Sequence, residues 1–312
     1  MLMTWVTGPV GVVVIAGLCA LVIALWVART HGVRAALVMA SFAVAALACV
    51  WISYEVAPIE SWRFGSLLRT LAVFALPGLA GTIVAIVRSR KQGIGVQGWT
   101  FLALLWLGPS LVVYISQLTP FSESSDASFA NRLWFGLSST AVYVLVPVLF
   151  ALTFRQRIRS YGLSWGSIRQ EARYLILIIP IVAVIVFFIS AEEGFQQVYP
   201  FYDYESGGDG AIAKLLAFEV AYGLSFVALE FFFRGFLVLG GVKVLGVHAV
   251  PVMAFAYCIL HLGKPMPECA ASLIGGLILG YIALRFRSIA VGVAAHLTMA
   301  WGMDGAVIWR NT

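Results

Sequence analysis

The feature that most constrains this 312-residue chain is a succession of apolar runs about 20 residues long, divided by short charged or turn-forming segments. Ten such runs lie near residues 7–28, 35–54, 66–87, 98–119, 133–154, 174–190, 213–240, 246–263, 268–284 and 289–309. A hydrocarbon core about 30 Å thick takes about 20 helical residues to cross. The composition agrees, because 62% of residues are hydrophobic and only 11% charged, against roughly a quarter charged in soluble domains. Backbone groups in lipid must be satisfied within the segment, and these runs lack the alternation of membrane strands. The predicted fold is therefore all-α, a polytopic transmembrane bundle of about ten helices. Pro77, Pro109, Pro147, Pro180 and Pro251 fall inside the runs and are expected to bend helices, not end them.

The connecting segments alternate in charge, which gives an orientation. Thirteen basic residues fall on one side: Arg29, Arg34, Arg88, Arg90, Lys91, Arg155, Arg157, Arg159, Arg169, Arg173, Lys243, Arg285 and Arg287. That side is expected to be cytoplasmic in a bacterial-type plasma membrane. The opposite loops carry six basic residues and ten of the fourteen acidic ones, so both termini are predicted outside. This bias explains the net charge of +6 without a nucleic-acid partner; membrane lipids are the expected surroundings. The first run has no basic segment ahead of it and reads as a retained helix. Cys19, Cys49, Cys258 and Cys269 lie in or beside apolar runs and read as small hydrophobes.

The longest cytoplasmic connection, 155–173, reads as a basic amphipathic stretch on the leaflet surface. It divides the chain into a helical region 1–155 and a second region 156–312. Ionisable residues at membrane depth concentrate in the second, as Glu219, Glu230, Arg234, His261, His296 and Asp304. In the ninth run Ser272, Gly276 and Gly280 recur every four residues, a smooth stripe for close helix approach.

A charged side chain at mid-bilayer costs about 2.5 to 3.5 kcal/mol or more, so each needs a partner or a purpose. Glu230 and Arg234, four apart on one helix face, supply one another. A packing role is the bland reading of that pair. His261 and His296 stand on two further runs, and with the glutamate they form a set able to activate water. Rise per residue puts Glu230 about 20 Å from Lys243 and His296 about 13 Å from Arg287, near mid-membrane. His261 precedes Lys264 by three residues, which draws it toward the outer boundary. Glu219 reads as an outer-end carboxylate facing water, and Glu268 as a helix start pairing with Lys264.

The segments LEFFFRGFL at 229–237, YCILHL at 257–262 and GGLILGYIALRFRSIAVGVAAH at 275–296 resemble the CAAX protease and bacteriocin-processing family of intramembrane glutamate-type endopeptidases. The resemblance covers roughly residues 160–305. That family's pattern is Glu-Glu-x-x-x-Arg, then Phe-x-x-x-His, then His-x-x-x-Asn or Asp. Carried over by position, Glu230 and Arg234 match the first motif, His261 the second and His296 the third. The resemblance implies peptide-bond hydrolysis on a membrane-associated peptide or protein, with Glu230, Arg234, His261 and His296 catalytic. Leu229 stands where the first Glu is expected, Tyr257 replaces Phe, and Ala300 stands at the Asn position. Asp304 lies eight residues past His296, about 80° round the helix and about 12 Å along it, and does not replace that Asn.

Two histidines and a glutamate can hold zinc, but the spacing is not H-E-x-x-H. The resembled family is metal-independent, so no metal and no cofactor is expected. Two other readings stay open. One is a catalytically inactive scaffold that binds peptides or proteins, motivated by Leu229 and Ala300; the other is a transporter, motivated by Glu219 and Asp304.

Overall fold

The computed structural model describes residues 8–56, 67–121, 127–163, 168–191, 193–202 and 210–311. Helices make up the regular structure, and no strand occurs among the described residues. In chain order they are α1 (Pro9–His31), α2 (Val33–Trp51), α3 (Leu67–Arg88), α4 (Val96–Ser116), α5 (Ala127–Thr153), α6 (Ile168–Ile189), α7 (Ala211–Glu230), α8 (Ala249–Leu260), α9 (Met266–Phe286) and α10 (Ala290–Asn311). Their limits follow the charges: α3 stops at Arg88, and α9 ends where Arg287 takes a positive φ of 57°.

Nine helical runs among the described residues are long and apolar enough to cross a membrane. The count is nine and not ten because one run, Ala211–Leu260, is 50 residues long and holds both α7 and α8. Within it α7 passes directly into a wider π-helix, Phe231–Gly240. Short turns at Val242–Leu245 and Gly246–His248 then lead into α8. Gly246 has φ +62°, and a Cβ there would lie 2.6 Å from the Arg88 guanidinium carbon, so the turn needs glycine both for its backbone and for the arginine packed on it.

Pro77, Pro109, Pro147 and Pro180 lie inside continuous helices, and Pro251 lies in the first turn of α8. The lipid-facing sides carry large apolar residues, among them Leu18, Val22 and Leu25 on α1 and Ile176, Leu177 and Phe188 on α6. All four cysteines are free.

The π-helix is the middle of the bundle. Its residues from Phe231 to Leu239 are all buried, and α5, α8, α9 and a 3₁₀ turn at Ile158–Tyr161 pack around it. Three successive phenylalanines face three ways. Phe231 meets Tyr161, Phe232 meets Tyr143, and Phe233 meets Tyr257 edge-on with centroids 5.2 Å apart. Between lipid-exposed helices no hydrophobic force operates, so close packing and small residues hold such contacts together. The stripe on α9 works this way: a Cβ on Gly276 would meet Ala254 at 3.2 Å, and one on Gly280 would meet Val250 at 2.8 Å. It therefore seats α9 directly on α8.

The 155–173 connection differs from a helix resting on the leaflet. Tyr161 is fully buried against Gly235, Gly240 and Phe236, its hydroxyl donates to the Gln156 amide oxygen at 2.8 Å, and burial pushes its phenol up to about 12. Farther on, Ser288 donates to buried Glu171 at 2.8 Å. The sequence reading saw the basic residues; it did not see that an aromatic between them plugs the bundle. Residues 164–167 of that stretch lie outside the described residues, as do Asp203, Glu205 and Asp209 of the acidic outer loop.

Candidate active site

Glu230 is the last residue of α7, and Arg234 lies one turn into the π-helix, so their pairing spans the junction of the two. Both are fully buried, and Arg234 Nη1 lies 2.7 Å from Glu230 Oε1. His296, on α10 and 6% exposed, brings Nδ1 to 2.7 Å from the same Oε1. Both contacts are short and fall on one oxygen. Glu230 Oε2 accepts no hydrogen bond among the described residues.

α10 makes room for the carboxylate with a glycine. Gly292 lies one turn before His296, and a Cβ on it would stand 2.0 Å from Glu230 Oε2. The Gly292 carbonyl also accepts from His296 Nδ1 at 3.2 Å. Phe226, one turn before Glu230 on α7, stacks on the His296 ring with centroids 5.6 Å apart. The imidazole is thus fixed in plane by a ring and in the plane by two acceptors.

His261 stands apart from this group. It follows the last residue of α8, its Nδ1 is 2.9 Å from the Tyr257 carbonyl, and its ring centroid is 4.6 Å from that of Tyr257. The Tyr257 ring also touches two of the other residues: it is 5.9 Å from the His296 ring and carries the Arg234 guanidinium at 4.5 Å. α8 has 12 residues, about 18 Å, too short to join both faces of a core about 30 Å thick. Beyond it the Tyr54 hydroxyl is hydrogen-bonded to the Lys264 carbonyl and accepts from the Gly263 amide at 3.2 Å. Lys264 pairs with Glu268 at 2.5 Å, at the helix start where the sequence puts it.

Two sequence readings change. Glu219 is not a water-facing carboxylate: both its oxygens are buried and accept no hydrogen bond among the described residues, and Asp304 lies beside it. Asp304, 1% exposed, accepts from the Phe201 amide at 3.0 Å, which ties the segment before α7 to α10. Leu229 and Ala300, two of the three departures from the motifs, are both buried among apolar neighbours.

Two residues escaped the sequence reading. Tyr257, noted there only as a replacement for Phe, sets its hydroxyl 2.7 Å from His296 Nε2. Gly292 leaves the space in which the carboxylate sits. The visible signal for each was a spacing of four from a histidine, which puts both pairs on one helix face.

Residues 173–302 match the family model described as type II CAAX prenyl endopeptidase Rce1-like. This segment is Rce1-like. It runs from α6 into α10 and holds Glu230, Arg234, His261 and His296 together with all three motif departures. The match agrees with the family resemblance of the three motifs, and the family is one of CAAX-type proteases. With the nine apolar runs, it describes an integral membrane protein. No curated protein and no solved structure matches the chain.

Proposed function

We propose that the protein is an intramembrane endopeptidase that hydrolyses peptide bonds of membrane-associated peptides or proteins with a water activated by Glu230. The observation that carries this reading is one fully buried carboxylate approached by both an arginine and a histidine. Arg234 and His296 both lie 2.7 Å from Oε1, and neither carboxylate oxygen accepts a hydrogen bond among the described residues. A buried acceptor in that condition costs about 1–3 kcal/mol, a cost that a group with a chemical task to perform explains.

In this mechanism Oε2 takes a proton from water as its oxygen attacks the scissile carbonyl. Arg234 orients the carboxylate, while His296 and His261 position the water and stabilise the oxyanion. The proton then passes from Glu230 to the leaving amine as the C–N bond breaks. The products are one new carboxylate and one new amine. No metal or cofactor takes part in the scheme.

Leu229 and Ala300 favour a second reading, a non-catalytic peptide-binding scaffold. The two are separated by reconstituting the wild-type chain and the Leu229→Glu/Ala300→Asn double variant in lipid vesicles with prenylated CAAX peptides and unmodified membrane peptides. The endopeptidase reading expects the wild type to cleave at least one class. Cleavage by the double variant alone would overturn it in favour of the scaffold.

A further inference from the structure

The turn that begins at His261 is completed by a residue far upstream of the family match. His261 to Lys264 form a four-residue turn, closed by the Lys264 amide donating to the His261 carbonyl at 3.1 Å. Gly263, its third residue, has φ +95°, a conformation that glycine allows. Two further backbone groups of the turn meet one side-chain hydroxyl. Tyr54 Oη accepts from the Gly263 amide at 3.2 Å and donates to the Lys264 carbonyl. The backbone fixes both roles, because an amide N–H donates and a carbonyl accepts.

Tyr54 lies on the π-turn Ile52–Val56 that prolongs α2, outside residues 173–302. α2 reaches the turn because it runs beside α8 in the same direction. Phe42 meets Phe255 edge-on at 6.2 Å, and farther along both segments Tyr54 meets Gly263 and Lys264. His261 itself has left the α-helical ladder: its amide donates to the Cys258 carbonyl, three residues back, at 3.0 Å. Its backbone therefore moves with the turn, while its ring stays 2.9 Å from the Tyr257 carbonyl and 4.6 Å from the Tyr257 ring.

We infer that Tyr54 is a positioning residue: its hydroxyl pins the Gly263 amide and the Lys264 carbonyl, and so fixes where His261 stands in the site. Its catalytic consequence rests on the endopeptidase reading; the clamp on the turn does not.

Tyr54→Phe removes the hydroxyl and keeps the ring. The test follows hydrogen exchange at the Gly263 amide in the full chain in lipid vesicles. In the variant this amide is expected to exchange about fivefold or more faster than in the wild type, with the amides inside α8 and α9 unchanged. On a peptide the wild type cleaves, kcat is expected to fall about tenfold with KM unchanged within about twofold. An unchanged Gly263 rate overturns the inference whether or not the protein cleaves. Exchange that quickens equally through α8 and α9 overturns it too, since that is general loosening and not the loss of one clamp. Local loosening with unchanged kcat overturns the catalytic consequence. Local loosening in a protein whose wild type cleaves nothing upholds the clamp and counts against the endopeptidase reading alone. Should Tyr54→Phe fail to fold, replacing Tyr54 with 3,5-difluorotyrosine keeps ring and hydroxyl and makes the oxygen a poorer acceptor. The Gly263 amide is then expected to exchange about twofold or more faster, and an unmoved rate overturns the hydrogen bond.

Discussion

Glu230 is a carboxylate wedged against a glycine. Because a Cβ on Gly292 would lie 2.0 Å from Oε2 and 2.6 Å from the carboxyl carbon, Gly292→Ala must move either α10 or the Glu230 side chain. Overpacking of this kind costs about 1–3 kcal/mol. Gly292→Ala is expected to lower the thermal transition and to cut cleavage by more than tenfold, since the displaced carboxylate leaves His296 and Arg234. Gly275→Ala is the control, because nothing lies within 4 Å of its Cβ; it is expected to be neutral or to stabilise by about 0.5–1 kcal/mol through helix propensity. Equal effects at the two positions, read by thermal melting and turnover, would contradict the placement of Glu230. The meeting of Glu230 with Gly292 was not legible in the chain. The i,i+4 spacing of Glu230 and Arg234 shows that they pair. It does not show which of the pair's neighbours on other helices supplies the space.

Elements were the most legible level. Each of the ten apolar runs overlaps one of α1–α10 among the described residues, and several boundaries have a local cause: arginines at Arg88 and Arg285, a glycine at Gly32, a proline at Pro9. What escaped was the detail that depends on packing. The sequence puts one continuous pass over 213–240, and nothing in FFFRGFLVLG marks the widening from α to π at Phe231. The eighth run shortens to 12 residues because the turns through Gly246 consume its start. The stripe on α9 was legible as small residues at every fourth position, and its partner proves to be α8. Gly280→Leu drives a side chain into Val250 and Met253, whose atoms lie 2.8 and 3.0 Å from an added Cβ. This substitution is expected to destabilise by about 1–3 kcal/mol and, by tilting α8, to lower cleavage. A melting temperature equal to wild type would show that the contact carries little.

Over the whole molecule, the site depends on a long-range assembly. Glu230 and Arg234 come from α7 and its π extension, Tyr257 and His261 from α8 and its end, and His296 from α10. α9 joins the second of these to the third. Helices upstream of the family match take part in this packing: α5 lies against α7 and the π-helix, and α2 and α3 lie against α8. The motifs were readable one by one from the sequence. Their convergence needed the fold, since Glu230 and His296 are 66 positions apart yet touch at 2.7 Å. The central claim is that the free oxygen of Glu230 is the base. Its most direct test is turnover by Glu230→Gln beside wild type, in vesicles, on a peptide the wild type cleaves, with the thermal transition of each recorded to confirm that both are folded. A folded variant whose cleavage falls by at least about a hundredfold, as general-base loss requires, is the expected result; a folded variant that cleaves at the wild-type rate would contradict the account.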